Sequence, residues 1–254
     1  MIAADTVEEL AGRLDTALTS CADTPSLAES HTFALDDAYA IQAALLARRE
    51  ARGERVTGVK LGFTSKAKMA QMGVSDVIVG RLTDAMRVPD GGEVDLARFI
   101  HPKVEPEVAY RLSRDVDPDD PAADIERCVD AVAPALEIID SRYRDFRFTY
   151  EDVVADNTSA AGYALGAWRP VQDVSNRAVR LVGPRTEAVG STAAILGSPV
   201  RALHALLDMC RRRRIPLGAG QIVLAGAATA AVPLGPGVTR CDVAGLGSVG
   251  VRGL

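Results

Sequence analysis

The chain lacks the sequence marks of several common functional classes. Its four cysteines, Cys21, Cys128, Cys210 and Cys241, lie far apart and form no C-x-x-C pair. That excludes a zinc ribbon and a disulfide scaffold and predicts reduced thiols in a cytoplasmic protein. Histidine is as sparse: His31, His101 and His204 are scattered, and no G-x-S-x-G elbow accompanies them, so a Ser-His-Asp hydrolase has no support. No apolar run reaches the length of a membrane span. The segment Met1 to Leu14 carries Asp5, Glu8 and Glu9 and has no basic stretch followed by an apolar core, unlike a signal peptide. Net charge is −5 with both signs interspersed, which argues against a nucleic-acid partner. The one basic run, Arg211-Arg212-Arg213-Arg214, follows a helical pattern from Val200 to Cys210 and reads as the positive C-terminal turn that a helix dipole favours.

What is present is an ordinary globular composition, 48% hydrophobic over 254 residues, enough for one large domain or two small ones. Residues 1–54 are helical in pattern. Thr6 is placed to cap a first helix, with Glu9 completing a capping box, and a second helix runs from Leu35 to Arg52 and stops before Gly53. From Val56 the character changes to short β-like runs: Val56 to Leu61, Ile78-Val79, Val104 to Leu112, Val132 to Ile139, Ala178 to Val182, Gln221 to Ala225, Val238 to Val243 and Ser248 to Val251. Helical patterns interrupt them at Ser65 to Met72, Ile125 to Val129 and Pro199 to Arg213. Strands among few helices predict an α+β fold, divided into a helical segment 1–54 and a β-rich catalytic unit 55–254. Gly245 to Gly250 spells G-x-G-x-x-G, but no helix has room to follow it, so the glycines read as a turn between the last two strands.

The richest cluster is acidic. Glu105 and Glu107 stand one residue apart in Lys103-Val104-Glu105-Pro106-Glu107, and in a strand such residues share a face. Glu137 stands in the apolar stretch Ala131 to Ile139, where a carboxylate needs a partner or a metal. Three converging carboxylates suit a hard cation such as Mg2+ or Mn2+ rather than zinc. The competing reading is the solvated face of an edge strand.

Several longer motifs are similar to one family. They are Val59-Lys60-Leu61-Gly62-Phe63-Thr64-Ser65-Lys66 onward to Val74, Ile100-His101-Pro102-Lys103-Val104-Glu105-Pro106-Glu107, Glu137-Ile138-Ile139-Asp140-Ser141-Arg142-Tyr143, Ala155-Asp156-Asn157-Thr158-Ser159, and Thr229-Ala230-Ala231-Val232-Pro233. In this order they resemble the 4-oxalocrotonate decarboxylase and 2-keto-4-pentenoate hydratase family of the fumarylacetoacetate-hydrolase-like superfamily. The resemblance implies a mixed β-roll with flanking helices and a Mg2+ or Mn2+ ion on Glu105, Glu107 and Glu137. It implies Lys60 as the active-site lysine, and Ser159 and Thr229 near a bound 2-oxo acid. It also implies a homo-oligomer, with a partner hydratase of the same pathway as a further associate. Asp156-Asn157 keeps the family's pair, which a structural turn also explains. Thr158 stands where alanine is usual and Ala227 where a second glycine is usual.

Between the two branches, the runs Thr64 to Gly73 and Ile139 to Tyr143 resemble the decarboxylase more closely. Ile78 replaces an acid of the hydratase branch that is suited to activating water. Gly162 to Gly166 reads more like the hydratase. The expected reaction is decarboxylation of 2-oxo-3-hexenedioate to 2-hydroxypenta-2,4-dienoate, with hydration of the five-carbon dienoate as the alternative. Lys66 is the candidate cation for a distal carboxylate; a solvated surface lysine is the other reading. Acylpyruvate hydrolysis, for which His101 is the only histidine near the ligand strand, and a non-catalytic assembly role also stay open.

Overall fold

The computed structural model describes residues 1–65, 69, 70, 73 and 76–254, so most of the expected Ser65 to Met72 helix lies outside the described residues. Helices α1 (Ala4–Ser20) and α2 (Leu35–Ala51) precede β1 (Val56–Gly62), β2 (Ile78–Thr83), β3 (Arg87–Val88), β4 (Gly92–Val94), β5 (Lys103–Leu112) and β6 (Val129–Ile139). Helix α3 (Tyr150–Ala155) leads to β7 (Ala160–Leu165), β8 (Arg169–Pro170), β9 (Ala178–Val182) and β10 (Glu187–Ser191). Helix α4 (Pro199–Arg213) leads to β11 (Ile222–Ala227), β12 (Val232–Pro233), β13 (Gly237–Val243) and β14 (Gly247–Gly253).

The strands form two mixed sheets. A nine-stranded sheet runs β2-β1-β11-β5-β6-β7-β3, with β12 also on β5 and β8 also on β6; a five-stranded sheet runs β10-β9-β13-β14-β4. This is the α+β, β-rich architecture expected. Strand β5 lies between β11 and β6, so the edge-strand reading of Glu105 and Glu107 is overturned. Strand β6 is buried from Ala131 through Ile138, because the small sheet covers one of its faces. A strand covered on both sides reads as a continuous apolar run, and that is why Ala131 to Ile139 shows no alternation.

One apolar cluster joins the sheets through Val104, Val108, Leu136, Ile138, Val223 and Val249. A second seats the two N-terminal helices, with Leu10, Leu14, Ile41 and Leu45 packed on Phe63, Ile78, Tyr143 and Val154. Ile78 thus serves as a core residue. Helix α1 begins two residues before Thr6, with Ala3 at its N-cap and no side-chain cap bond, so the expected capping box is absent. Ile125–Cys128 is a single 3-10 turn. The basic run at the end of α4 meets acids: Arg211 pairs with Asp208, Arg212 with Asp76, Arg213 with Asp36 and Arg214 with Asp119. Among the described residues, no helix is long and apolar enough to cross a membrane.

The end of β6 is pinned by a buried ion pair. Arg142 is 2% exposed and its guanidinium binds the fully buried Asp156, together with the carbonyls of Asp140 at 2.7 Å and Ala160 at 3.2 Å. Burial pushes the Asp156 carboxyl up to about 6, while Arg142 draws it back. Arg142→Met leaves that carboxylate without its cation, and a broken buried pair costs about 3–5 kcal/mol. Urea denaturation is expected to show a loss of that size, partly recovered in Arg142→Met/Asp156→Asn; a loss under about 1 kcal/mol would contradict the assignment.

Candidate metal and substrate centre

Glu105 and Glu137 are directly opposite one another across β5 and β6. Glu107 is the next residue on that face, opposite Ala135 on β6 and Ala227 on β11. Carboxylate oxygens of the three lie within 4.8 Å of one another. Glu107 and Glu137 are 1% and 0% exposed, and Glu105 is half-buried. Burial, then the facing charge of Glu137, holds Glu107 well above the ordinary glutamate value; burial raises Glu137 too, with Lys60 pulling it back.

Lys60 comes from β1, in register with Leu224 of β11 and Gly80 of β2. Its buried Nζ lies 3.0 Å from Glu137 Oε1 and donates to the Thr158 carbonyl at 3.1 Å. Burial alone would lower its pKa, but Glu137, Glu105 and Glu107 together outweigh that and raise it, so the ammonium is charged. An ammonium has three donors. Among the described residues, Glu137 and Thr158 engage two of them.

The backbone around these side chains is specialised. The Gly226 N–H donates to Glu107 Oε2 at 2.8 Å. Gly226 has φ of +111°, and a Cβ there would stand 2.0 Å from Thr64 Oγ1, so only glycine fits. Asn157, Thr158 and Ser159 adopt φ of 48°, 51° and 59°, a left-handed turn that costs energy for non-glycine residues. Asn157 clamps it to β2: its Oδ1 accepts from the Arg81 N–H at 2.7 Å and its Nδ2 donates to the Arg81 carbonyl at 2.9 Å. Gly80 makes room, since a Cβ there would lie 2.2 Å from Thr158 Oγ1. The turn thereby aims the Thr158 carbonyl at Lys60. The Asp156-Asn157 pair has a structural part, with Asp156 on Arg142 and Asn157 on Arg81.

The structure therefore brings Glu105, Glu107, Glu137 and Lys60 together. Ser159 is buried in the left-handed turn, with its carbonyl accepting from the Asp140 N–H at 2.9 Å. Thr229 follows β11, beyond Ala228, whose N–H donates to the Pro106 carbonyl; the Thr229 hydroxyl donates to the Ala230 carbonyl at 3.0 Å. Lys66 lies outside the described residues. The ring of His101 packs on Phe146 at 4.5 Å between centroids. The Thr158 carbonyl and the Gly226 N–H were not foreseen, because backbone groups leave no mark in residue type; the glycine at 226 was the one available signal.

The donor set fits a hard divalent cation. It offers carboxylate oxygens and no thiol or imidazole. Among the described residues, no hydrogen-bond donor reaches the buried Glu107 Oε1 or Glu137 Oε2, and buried carboxylate oxygens of this kind call for compensation.

No family model matches the chain. It is 50% identical over 246 residues to a 4-oxalocrotonate decarboxylase from Pseudomonas sp, covering 96% of each chain. It is 39% identical over 225 residues to a 2-keto-4-pentenoate hydratase from Paraburkholderia xenovorans (strain LB400), covering 85% of this chain and 82% of that one. The solved 4-oxalocrotonate decarboxylase from Pseudomonas putida G7, complexed with magnesium and adipate, matches with a TM-score of 0.94 at 34% identity, over 100% of this chain and 99% of that one. At the level of fold alone, a fumarylacetoacetate hydrolase family protein from Yersinia pestis CO92 matches with a TM-score of 0.56 at 14% identity, over 77% of this chain and 92% of that one.

Proposed function

Since the chain belongs to the 4-oxalocrotonate decarboxylase and 2-keto-4-pentenoate hydratase family, we propose that it is a lyase that decarboxylates 2-oxo-3-hexenedioate to 2-hydroxypenta-2,4-dienoate. The observation that carries decarboxylation over hydration is the 50% identity to a decarboxylase across 96% of both chains, against 39% to a hydratase. The decarboxylase of known structure was complexed with adipate, a six-carbon diacid like the proposed substrate.

In this reading Glu105, Glu107 and Glu137 hold Mg2+ or Mn2+. When bound, the cation stabilises negative charge on the oxygens of a 2-oxo acid. The bond to the distal carboxylate breaks, its electron pair moves through the conjugated chain to the 2-oxygen, and CO2 leaves. Lys60 contributes a fixed positive charge, held by Glu137 and Thr158, to the developing oxyanion or to its protonation. Because Glu137 and Thr158 hold the ammonium before substrate arrives, little reorganisation accompanies the step. Ser159 and Thr229 belong to the proposed substrate contacts. A homo-oligomer, a complex with a hydratase that consumes the dienol and a cytoplasmic setting complete the proposal.

The test is to mix protein, Mg2+ and 2-oxo-3-hexenedioate and follow CO2 and dienol. Release of CO2 with slow hydration of 2-hydroxypenta-2,4-dienoate is expected. Fast hydration of the dienoate with no CO2 from the diacid would replace this reading with the hydratase.

A further inference from the structure

The face of β5 that carries Glu105 and Glu107 carries a third charged residue. Lys103 precedes Glu105 by two positions, so it points to the same side. The register agrees: Glu105 pairs with Glu137, and Lys103 pairs with Ile139 on the next rung of that face. Two residues of strand advance about 6.7 Å. The backbone of Lys103 therefore stands one rung beyond that of Glu105, an advance comparable with the length of a six-carbon chain.

Lys103 is half-buried and, among the described residues, forms no ion pair. Its Nζ rests 3.9 Å from the centroid of the Phe146 ring. Phe146 has φ of +55° and Asp145 has +56°, a left-handed pair that bulky side chains avoid. This strained turn carries the ring that supports the ammonium, and His101 packs on the same ring. Strain held at one place is a pointer to a role, since the rest of the fold must sustain its cost.

We infer that Lys103, seated on Phe146, receives the distal carboxylate of a dicarboxylic 2-oxo acid and so selects diacids over monoacids. The inference rests on the 2-oxo acid reading above and assigns its specificity. The placement also suits the chemistry. The distal carboxylate loses its charge as CO2 departs, so a dry, multiply bonded ion pair would stabilise the ground state over the transition state and slow the step. An ammonium on an aromatic ring, half open to water, holds the carboxylate weakly. Lys103 is then a binding and positioning residue whose contribution appears in KM.

The experiment titrates the Mg2+-supplied protein with 2-oxoadipate and with 2-oxohexanoate by calorimetry. The wild type is expected to bind the diacid at least about tenfold tighter, the scale of one charge-assisted contact. Lys103→Met is expected to lose that margin for 2-oxoadipate, leave 2-oxohexanoate unchanged, and lower kcat/KM for the unsaturated diacid through KM. Lys103→Arg restores the margin. Equal weakening of both ligands, unchanged diacid affinity, or a loss confined to kcat overturns the inference. If Lys103→Met does not fold, Lys103→Gln, which keeps most of the stem, is judged by the same comparison. A wild type that binds neither acid refutes the 2-oxo acid reading itself, and that result is seen before any variant is made.

Discussion

Glu107→Gln is expected to lower turnover about a thousandfold and to abolish most of the heat of Mg2+ titration, since Lewis-acid stabilisation of this kind is worth several kcal/mol. The amide is a poorer ligand, and burial and the charge of Glu137 hold Glu107 well above the ordinary glutamate value. The same substitution removes a costly buried charge and keeps an oxygen for the Gly226 N–H. The metal-free variant is therefore expected to melt no lower than the wild type. Loss of activity without loss of stability separates a ligand from a core residue. Unchanged Mg2+ binding would refute the assignment.

Lys60→Met is expected to behave oppositely. Turnover falls about a hundred- to a thousandfold, the scale of losing one preorganised charge at a developing oxyanion. Mg2+ affinity is retained or strengthened, because a cation competing for Glu137 has gone. The metal-free variant melts below the wild type, since three clustered carboxylates lose a buried counter-charge, and Mg2+ raises its melting temperature by more than it raises the wild type's. Near-native turnover would show Lys60 to be an ordinary strand residue. A metal-free melting temperature equal to that of the wild type would show that it does not compensate the glutamates.

Much of this centre was legible in residue order. Alternation along β5 placed Glu105 and Glu107 on one face, and the apolar surroundings of Glu137 announced a buried carboxylate. The strands Ala178–Val182 and Val56–Gly62 and the Pro199–Arg213 helix followed their patterns closely. Strand β7 did not, because Ala160–Leu165 is rich in alanine and is held extended by pairing with β6 and β3. Strand β10 escaped for another reason: Glu187–Ser191 is short and its small central residues show no apolar alternation, on a small sheet that leaves Val189 71% exposed. Thr6 looked like a cap, yet α1 starts earlier and carries it inside. The turn that aims the Thr158 carbonyl and the ring beneath Lys103 depend on left-handed backbone at non-glycine residues, which no local preference announces.

The three glutamates sit on one antiparallel strand pair, but the lysine that answers their charge arrives by a longer route. Lys60 belongs to β1, and β1 takes its place beside β5 only through the parallel strand β11, near the end of the chain. Thr158, which steadies Lys60, is 98 residues away from it, and Gly226, which donates to Glu107, is 119 residues away from that side chain. Loop closure over such spans is slow compared with zipping two neighbouring strands. As the chain leaves the ribosome, β5 and β6 therefore meet while β11 is still unmade. At that stage Lys103 is a cation that β5 itself brings to the shared face, and protons or a dissolved divalent cation can offset the rest of the repulsion. A divalent cation held by these glutamates would then favour assembly as well as turnover.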